Sequence, residues 1–270
     1  MNFYDRLDTA WKFNNSVLCI GLDADIEIIK DYEKSIFEFN KNIIDATHDL
    51  VCAYKPQISY YNAYGLEREL EMTIEYIKTK YPDILVILDS KRGDIGKTSE
   101  LYAIEAYDRY KADCVTVNPY MGSDSVEPFT RYKDKGVIVL CKTSNPSSSE
   151  IQSLRIKNET EEKKVYEEIL DLCINKWNSN KNIAVVMGAT QVEELAHIRS
   201  LSDEVPFLIP GVGAQGGDIE DVVNNAKTSK NKGMIINSSR AIIYASKDVD
   251  YAKNARIIAK QTRDEINQYI

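Results

Sequence analysis

A group of charged residues directly follows an apolar segment in the first half of the chain. Residues 84–88 are all aliphatic, and Asp89, Lys91 and Asp94 follow within the stretch LDSKRGDIGKT at 88–98. Alternate residues of a β-strand share a face, so Asp89 and Lys91 would lie side by side. Neighbouring lysines and aspartates hold each other charged, and such an array can stabilise a developing anion and supply a proton. We interpret the segment as a catalytic charge cluster, with a surface loop carrying incidental salt bridges as the alternative.

A glycine-rich segment near the end of the chain suggests a ligand. PGVGAQGG at 210–217 contains the GxGxxG pattern of dinucleotide-binding proteins, but no acidic residue follows about 20 positions later to bind a ribose hydroxyl. In a barrel, the loops after strands seven and eight bind phosphate through backbone N–H groups. Arg240, in NSSR at 237–240, supplies a planar cation that suits phosphate. The sequence therefore predicts a phosphate-bearing small ligand in preference to a dinucleotide.

Eight short strand-like runs alternate with segments of helical periodicity, which is typical of βα units around a parallel sheet. The runs are 16–23, 51–56, 84–89, 114–119, 136–143, 182–187, 206–211 and 233–239. The helix-like segments are 35–50, 66–81, 98–111, 161–177, 191–201 and 248–269. We predict a single-domain α/β fold, a (β/α)8 TIM barrel over residues 1–270. The polar segment 144–164 is predicted to be a long, mobile βα loop rather than an interdomain linker.

Polar residues gather where these runs end. Barrel active sites form from the carboxyl ends of the strands and the loops that follow them. The residues at or just beyond those ends are Asp23, Lys55, Asp89, Asn118, Thr143, Pro210 and Arg240. Lys55 is expected beside Asp89, because the second and third strands of a barrel are adjacent. His48 and His197 fall in helix-like segments, so neither is expected to act as a general acid.

Composition limits the class of protein. The 270 residues are 43% hydrophobic and 28% charged, with a net charge of −8, which argues against a general nucleic-acid surface. Five widely spaced cysteines without a CxxC pair predict reduced core residues rather than disulfides or a zinc site. The first residues lack the apolar core of a signal peptide, and no run approaches the roughly 18 apolar residues of a membrane span. We expect a cytoplasmic protein without membrane contact, and no metal site.

Seven motifs occur in a characteristic order at the predicted strand ends. They are GLD at 21–23, YKPQ at 54–57, LDSKRGDIGKT at 88–98, NPYMG at 118–122, CKTSNP at 141–146, PGVGAQGG at 210–217 and SSRAI at 238–242. Together they resemble the orotidine 5′-phosphate decarboxylase family over nearly the whole chain, and KRGDIG and NPYMG are similar to its longer bacterial subgroup. The resemblance implies a carboxy-lyase of pyrimidine biosynthesis that converts orotidine 5′-phosphate to UMP and CO2 without a cofactor.

The resemblance also implies roles for individual residues. Lys55, Asp89, Lys91 and Asp94 would form the catalytic Lys-Asp-Lys-Asp network, with Lys91 as the proton donor to C6 of the pyrimidine. Asp94, Ile95 and Thr98 would enter the active site of the partner subunit, so a homodimer would hold two complete sites. The remaining substrate contacts would be Asp23 and Lys55 to the ribose, Ser144 to the pyrimidine amide, Pro210 to the base, and Gln215, Arg240 and the Ser239 backbone to the phosphate.

One departure from the family pattern is Ser239, where many members have glycine before the arginine. Because only its backbone N–H is needed, we expect the serine to be tolerated, although serine restricts the backbone more. The loop after Ser144 and the loop around Gln215 are the predicted lids.

Two alternatives stay open. A magnesium-dependent phosphosugar decarboxylase or hexulose-phosphate synthase resembles this family in the DxKxxD motif, but carries an acidic metal ligand near the end of strand two, where this chain has Lys55. A non-catalytic sensor of nucleotide phosphates would keep the barrel and the phosphate site, but would be expected to lose a member of the charge cluster.

Overall fold

Eight parallel strands close into a barrel in the computed structural model, which describes residues 1–157, 162–189, 192–212 and 217–270. In chain order the strands are β1 (Leu18–Leu22), β2 (Ala53–Pro56), β3 (Leu85–Arg92), β4 (Cys114–Val117), β5 (Gly136–Lys142), β6 (Arg155–Lys157), β7 (Glu162–Lys164), β8 (Ile183–Met187), β9 (Phe207–Pro210) and β10 (Met234–Ser238). The order around the barrel is β1-β10-β9-β8-β5-β4-β3-β2, and β6 and β7 form a separate antiparallel pair. The predicted single-domain (β/α)8 barrel is confirmed.

Helices cover the outside of the barrel. They are α1 (Phe3–Phe13), α2 (Ile26–Ile29), α3 (Ile36–Thr47), α4 (Ser59–Asn62), α5 (Glu67–Lys80), α6 (Gly96–Ile104), α7 (Ser123–Thr130), α8 (Val165–Asn175), α9 (Val192–Leu201), α10 (Ile219–Ala226), α11 (Arg240–Ile243) and α12 (Tyr251–Ile266). Short 3₁₀ segments lie at His48–Leu50 and Pro146–Glu150, and a π-helical turn at Glu105–Arg109 continues α6. Each of the six predicted helical segments contains a helix.

Three of the longer helices, α1, α7 and α10, lie outside the predicted helical segments. Of these, α7 and α10 have eight residues each, which is too short for a clear periodic pattern. In addition, α7 follows Gly122, whose φ is +74°, and contains Pro128 in its interior. The interior proline normally argues against a helix, and packing against β5 compensates for it here.

Helix α1 closes the amino-terminal end of the barrel. Asn2 and Asp5 form a reciprocal capping box that starts the helix. Phe3 is fully buried, and it packs so closely on Gly136 that a Cβ there would lie 2.6 Å from the Phe3 ring. Gly136 is the first residue of β5, so a glycine at this position lets the aromatic ring fill the bottom of the barrel.

The barrel strands carry the core. They read as continuous apolar runs because helices cover one face and barrel side chains fill the other. All five cysteines are buried and unpaired, as predicted, and burial raises the pKa of Cys19 to about 12. Within the described ranges, no helix combines the length and apolar character needed to cross a membrane.

The polar segment 144–164 connects β5 to α8, as predicted. It is not without structure, since it contains the 3₁₀ turn Pro146–Glu150 and the antiparallel pair of β6 and β7. Its last residue leads directly into α8. The described residues of the segment, 144–157 and 162–164, therefore form a small folded insertion beside the carboxyl end of β5.

Candidate active site

A buried carboxylate lies at the centre of the charge cluster. Asp89, on β3, is only 7% exposed. Its Oδ2 accepts a hydrogen bond from Lys55 Nζ at 2.8 Å, and its Oδ1 accepts one from Lys91 Nζ at 2.7 Å. Thr116 Oγ1, on β4, donates a third hydrogen bond to Oδ1 at 2.8 Å. The ends of three adjacent strands thus bring together an acid, two cations and a hydroxyl.

Electrostatics keep this cluster charged. Burial by itself would raise the pKa of Asp89, but Lys55 and Lys91 outweigh it and hold that pKa well below the ordinary range. Burial would likewise lower the pKa of Lys55, but Asp23 and Asp89 raise it instead. The two lysines differ in exposure, since the Lys55 side chain is 6% exposed and that of Lys91 is 46% exposed. Lys91 is therefore the cation that can meet a ligand.

The backbone at Lys91 departs from a regular strand. Its φ is +47°, in the left-handed region, and the pairing of β3 with β4 shifts register between Leu88 and Arg92. Such a conformation costs a non-glycine residue about 1–3 kcal/mol and needs support from its surroundings. Thr116 Oγ1 provides it by accepting hydrogen bonds from the backbone N–H groups of Ser90 and Lys91, at 3.0 and 2.9 Å.

Sequence reasoning missed Thr116. The only signal was a polar residue within the apolar run CVTVNP, two positions before Asn118, the residue selected for the rim at the end of this run. A threonine is common in strands, so its type alone did not distinguish it from a packing residue. Its role depends on the register of two strands that are distant in sequence.

Asp94 lies apart from the cluster of its own chain. Its Oδ1 accepts a hydrogen bond from the backbone N–H of Ile95 at 2.8 Å, and no ion pair among the described residues joins it to Lys91. Ile95 is 53% exposed, and Thr98 is exposed on the first turns of α6. The three residues for which a role in the partner subunit was predicted are therefore grouped on an outward-facing segment.

The segment that carries these residues is tied to β3. The Nε and Nη2 groups of Arg92 donate hydrogen bonds to the carboxylate of Glu105, at 2.9–3.1 Å. The Arg92 guanidinium also lies 4.6 Å from the centre of the Tyr102 ring. The last turn of α6 and the π-helical turn that follows it are thus held against the end of β3.

Asp23 and Ser239 meet where β1 and β10 end. Ser239 Oγ lies 2.7 Å from Asp23 Oδ2 and 3.1 Å from the carbonyl oxygen of Gly21. Asp23 Oδ1 is 4.0 Å from Lys55 Nζ and is buried without a hydrogen-bond partner. An unsatisfied buried acceptor beside a charge cluster is a position suited to a ligand hydroxyl.

The serine at 239 fits without left-handed backbone strain, since its φ is −120°. It depends instead on its neighbour, because a Cβ at Gly21 would lie 2.7 Å from Ser239 Cβ. Gly21 therefore makes room for the Ser239 side chain.

The other predicted contacts lie around the same rim. Arg240 begins α11 and is exposed, and Pro210 ends β9. Ser144 follows β5, and its backbone packs against Gly188. A Cβ added to Gly188 would lie 2.8 Å from the backbone nitrogen of Ser144. Gln215 lies outside the described residues.

A closed parallel barrel with a charged cluster at the carboxyl ends of its strands defines the class of protein, a (β/α)8-barrel enzyme. The profile of the "Orotidine 5'-phosphate decarboxylase / HUMPS family" matches residues 16–255. The chain belongs to this family.

Individual relatives agree with that assignment over their full length. Orotidine 5′-phosphate decarboxylase of Dechloromonas aromatica is 52% identical, covering 100% of both chains. The protein of the same name from Cellvibrio japonicus is 51% identical, over 99% of this chain and 98% of its own. The solved structure of Leishmania donovani OMP decarboxylase superposes with a TM-score of 0.85 at 34% identity, covering 100% of this chain and 98% of that one. The predicted similarity to the bacterial subgroup agrees with the two bacterial relatives.

Proposed function

We propose that this protein decarboxylates orotidine 5′-phosphate to UMP and CO2 without a cofactor, and that Lys91 donates the proton to C6. The observation that carries the proposal is the buried Asp89 carboxylate held between two lysines, only one of which is open to a ligand. The curated relatives that carry the name of this activity match the chain from end to end.

The reaction needs stabilisation of a carbanion. When the bond between C6 and the carboxylate breaks, its electron pair stays on C6, and the Lys91 ammonium stabilises the negative charge and then protonates the carbon. The neutral amine regains a proton from solvent. Asp89, itself held by Lys55, fixes the position of the Lys91 amine, so little reorganisation is needed during the reaction.

The remaining contacts would bind the parts of the substrate that do not react. Arg240, Gln215 and the backbone of Ser239 bind the 5′-phosphate, and Asp23 with Lys55 binds the ribose. The unsatisfied Asp23 Oδ1 supports this role for Asp23. Ser144 donates to the pyrimidine amide, and Pro210 packs against the base. Binding energy from these contacts would close the loops and raise turnover as well as affinity.

We further propose a homodimer in which each subunit supplies Asp94, Ile95 and Thr98 to the site of its partner. Exposed apolar side chains at the start of α6, on α6 itself and on the loop before α7 support this interface, because α6 packs against α7 and these side chains are left open to a partner. These side chains are Ile95, Leu101, Ile104, Tyr120 and Met121.

Residues 1–270 are proposed to fold as one barrel domain, and the five buried, unpaired cysteines support a reducing, cytoplasmic location. The net charge of −8 supports a small-molecule substrate rather than nucleic acid.

The first test is the fall in ultraviolet absorbance of orotidine 5′-phosphate on adding purified protein treated with EDTA. We expect rapid loss that survives EDTA and disappears in Lys91→Ala. Activity that requires added Mg²⁺ would favour a phosphosugar enzyme of the same barrel type. No activity from the folded dimer would favour a nucleotide-phosphate sensor.

A further inference from the structure

A second buried lysine lies outside the charge cluster, at the end of β5. Lys142 is 1% exposed, and the pairing of β5 with β8 shifts register just before it. Its Nζ lies 3.0 Å from Ser153 Oγ and 3.2 Å from Ser148 Oγ, both in the insertion between β5 and α8. The same Nζ is 3.7 Å from Glu194 Oε2, on α9, and this oxygen has no hydrogen-bond partner of its own.

A buried ammonium strongly constrains its surroundings. Removing a lysine from water costs several kcal/mol, and only oxygen atoms held at short distance offset that cost. Here the oxygens come from the insertion and from α9, so Lys142 holds both of them against the end of β5. A register shift is a common way for a strand to redirect one side chain, and it allows Lys142 to reach these partners.

The contacts around Lys142 lead directly to Ser144. The side-chain Oε1 of Gln152 accepts from the Thr143 backbone N–H at 2.9 Å, and Gln152 Nε2 donates to Thr143 Oγ1 at 2.8 Å. The backbone N–H of Gly188 donates to the carbonyl of Lys142 at 2.8 Å, and Gly188 adjoins the Ser144 backbone. Ser144 thus lies two residues from Lys142, directly follows the Thr143 that Gln152 contacts, and has Gly188 against its backbone.

We propose that Lys142 is a positioning residue, whose buried ammonium holds the β5–α8 insertion so that Ser144 meets the pyrimidine amide of the substrate. Lys142 touches no reacting atom and acts through Ser144. This role rests on the proposed function. It predicts that the insertion is a substrate-recognition element whose position is set by one charge, rather than a passive connection.

The test is a double-mutant cycle on decarboxylation of orotidine 5′-phosphate by the full-length protein. Lys142→Met and Ser144→Ala are each expected to lower kcat/KM by roughly 10- to 100-fold, mainly through KM, since a displaced contact group loses most of its effect. If Lys142 acts through Ser144, the double variant loses no more than the larger single effect. Multiplication of the two single effects, or wild-type kinetics in Lys142→Met, would overturn the proposal.

Lys164→Met is the matched control. Lys164 contacts the other oxygen of Glu194 at 3.3 Å, but bonds neither Ser148 nor Ser153. Its kcat/KM is expected to stay within about 3-fold of wild type, since a partly exposed ion pair contributes little. An equal loss in Lys164→Met and Lys142→Met would assign the effect to Glu194 and overturn the role of Lys142.

If Lys142→Met does not fold, the double substitution Ser148→Ala and Ser153→Ala keeps the ion pair and removes the contacts to the insertion. It is expected to lower kcat/KM to the same degree and to be non-additive with Ser144→Ala, and wild-type kinetics would overturn the proposal. A wild-type protein without decarboxylase activity would overturn the proposed function and this role together. Activity in the wild type with an additive cycle would overturn the role of Lys142 alone.

Discussion

At the scale of single residues, the hydroxyl of Thr116 both donates and accepts hydrogen bonds at the charge cluster. It donates a hydrogen bond to Asp89 Oδ1 and accepts hydrogen bonds from the backbone N–H groups of Ser90 and Lys91. Thr116→Val keeps the shape of the side chain but removes the donated and the accepted hydrogen bonds. The left-handed conformation at Lys91 therefore loses its support. We expect kcat/KM to fall by roughly 10- to 100-fold, as for a loss of about 1–3 kcal/mol from an unsatisfied buried group. Steady-state kinetics measure this, and Thr116→Ser, which keeps the hydroxyl, should retain most of the activity.

The pKa of Asp89 gives a second prediction at this scale. Burial raises that pKa, and Lys55 is the largest of the influences that lower it. In wild type the carboxylate therefore loses its charge only when the pH falls far below the ordinary range for aspartate. In Lys55→Met, Lys91 is the remaining one of the two lysines that oppose the effect of burial, so the pKa of Asp89 rises. We expect the acid limb of the profile of kcat/KM against pH to move to higher pH.

The control for this profile is Lys41→Met, on the outer face of α3, where Lys41 pairs with Asp45. Its acid limb should coincide with that of wild type. An unchanged acid limb in Lys55→Met would mean that Asp89 is not the group whose ionisation limits activity.

At the scale of elements, a second buried carboxylate links helices α1 and α5 to the amino-terminal end of the barrel. Asp113, just before β4, contacts Arg6 of α1 and Lys78 of α5, the latter at 2.6 Å, and accepts from the Val86 backbone N–H at 2.9 Å. Burial raises the pKa of Asp113, but Lys78 and Arg6 outweigh it and lower the pKa overall. This end of a barrel serves stability rather than catalysis. Asp113→Asn is therefore expected to lower the free energy of unfolding by about 3–5 kcal/mol.

The sign of the pH dependence follows from the lowered pKa. The charge of Asp113 contributes its full stability above its pKa in the unfolded chain, about 4, and loses it as the pH falls through the lower folded-state pKa. The difference in unfolding free energy between wild type and Asp113→Asn, measured by urea titration, should be largest at neutral pH and shrink in acid. The kcat/KM per folded molecule should not change. A difference independent of pH would argue against the ion pairs as its source.

At the scale of the whole molecule, the proposed dimer predicts complementation. Lys91→Ala and Asp94→Asn should each be inactive as homodimers. A mixed dimer holds one site with both substitutions and one with neither. After random exchange of subunits in equal amounts, about a quarter of the wild-type activity should return, because half of the dimers are mixed and each has one intact site.

The control for complementation pairs Lys91→Ala with Asp89→Asn. Both residues belong to the same half of the site, so each site of a mixed dimer keeps one substitution and no activity should return. Size-exclusion chromatography confirms that dimers are present. If the Lys91→Ala and Asp94→Asn pair also stays inactive, Asp94 does not act in the partner's site.

The amino-acid sequence by itself determined the barrel, its strand ends and most of the rim. Eight short apolar runs along the chain predict a parallel barrel because strands covered on both faces leave a continuous apolar signal. Asp89 and Lys91 could be identified because their contact is local, over two residues. The short helices α7 and α10 were not predicted, since eight residues carry little periodicity.

Only the tertiary structure decided which partners these residues have. Thr116 supports Asp89 through the register of β3 and β4, and Lys142 reaches Glu194 because a shift in the pairing of β5 redirects its side chain. Both contacts join residues far apart in sequence, and the types involved, threonine and lysine, are ordinary at strand ends. The local sequence pattern indicates which face of a strand a residue occupies. The burial of a charge and the distance to its partner depend instead on how the strands are aligned in the closed barrel.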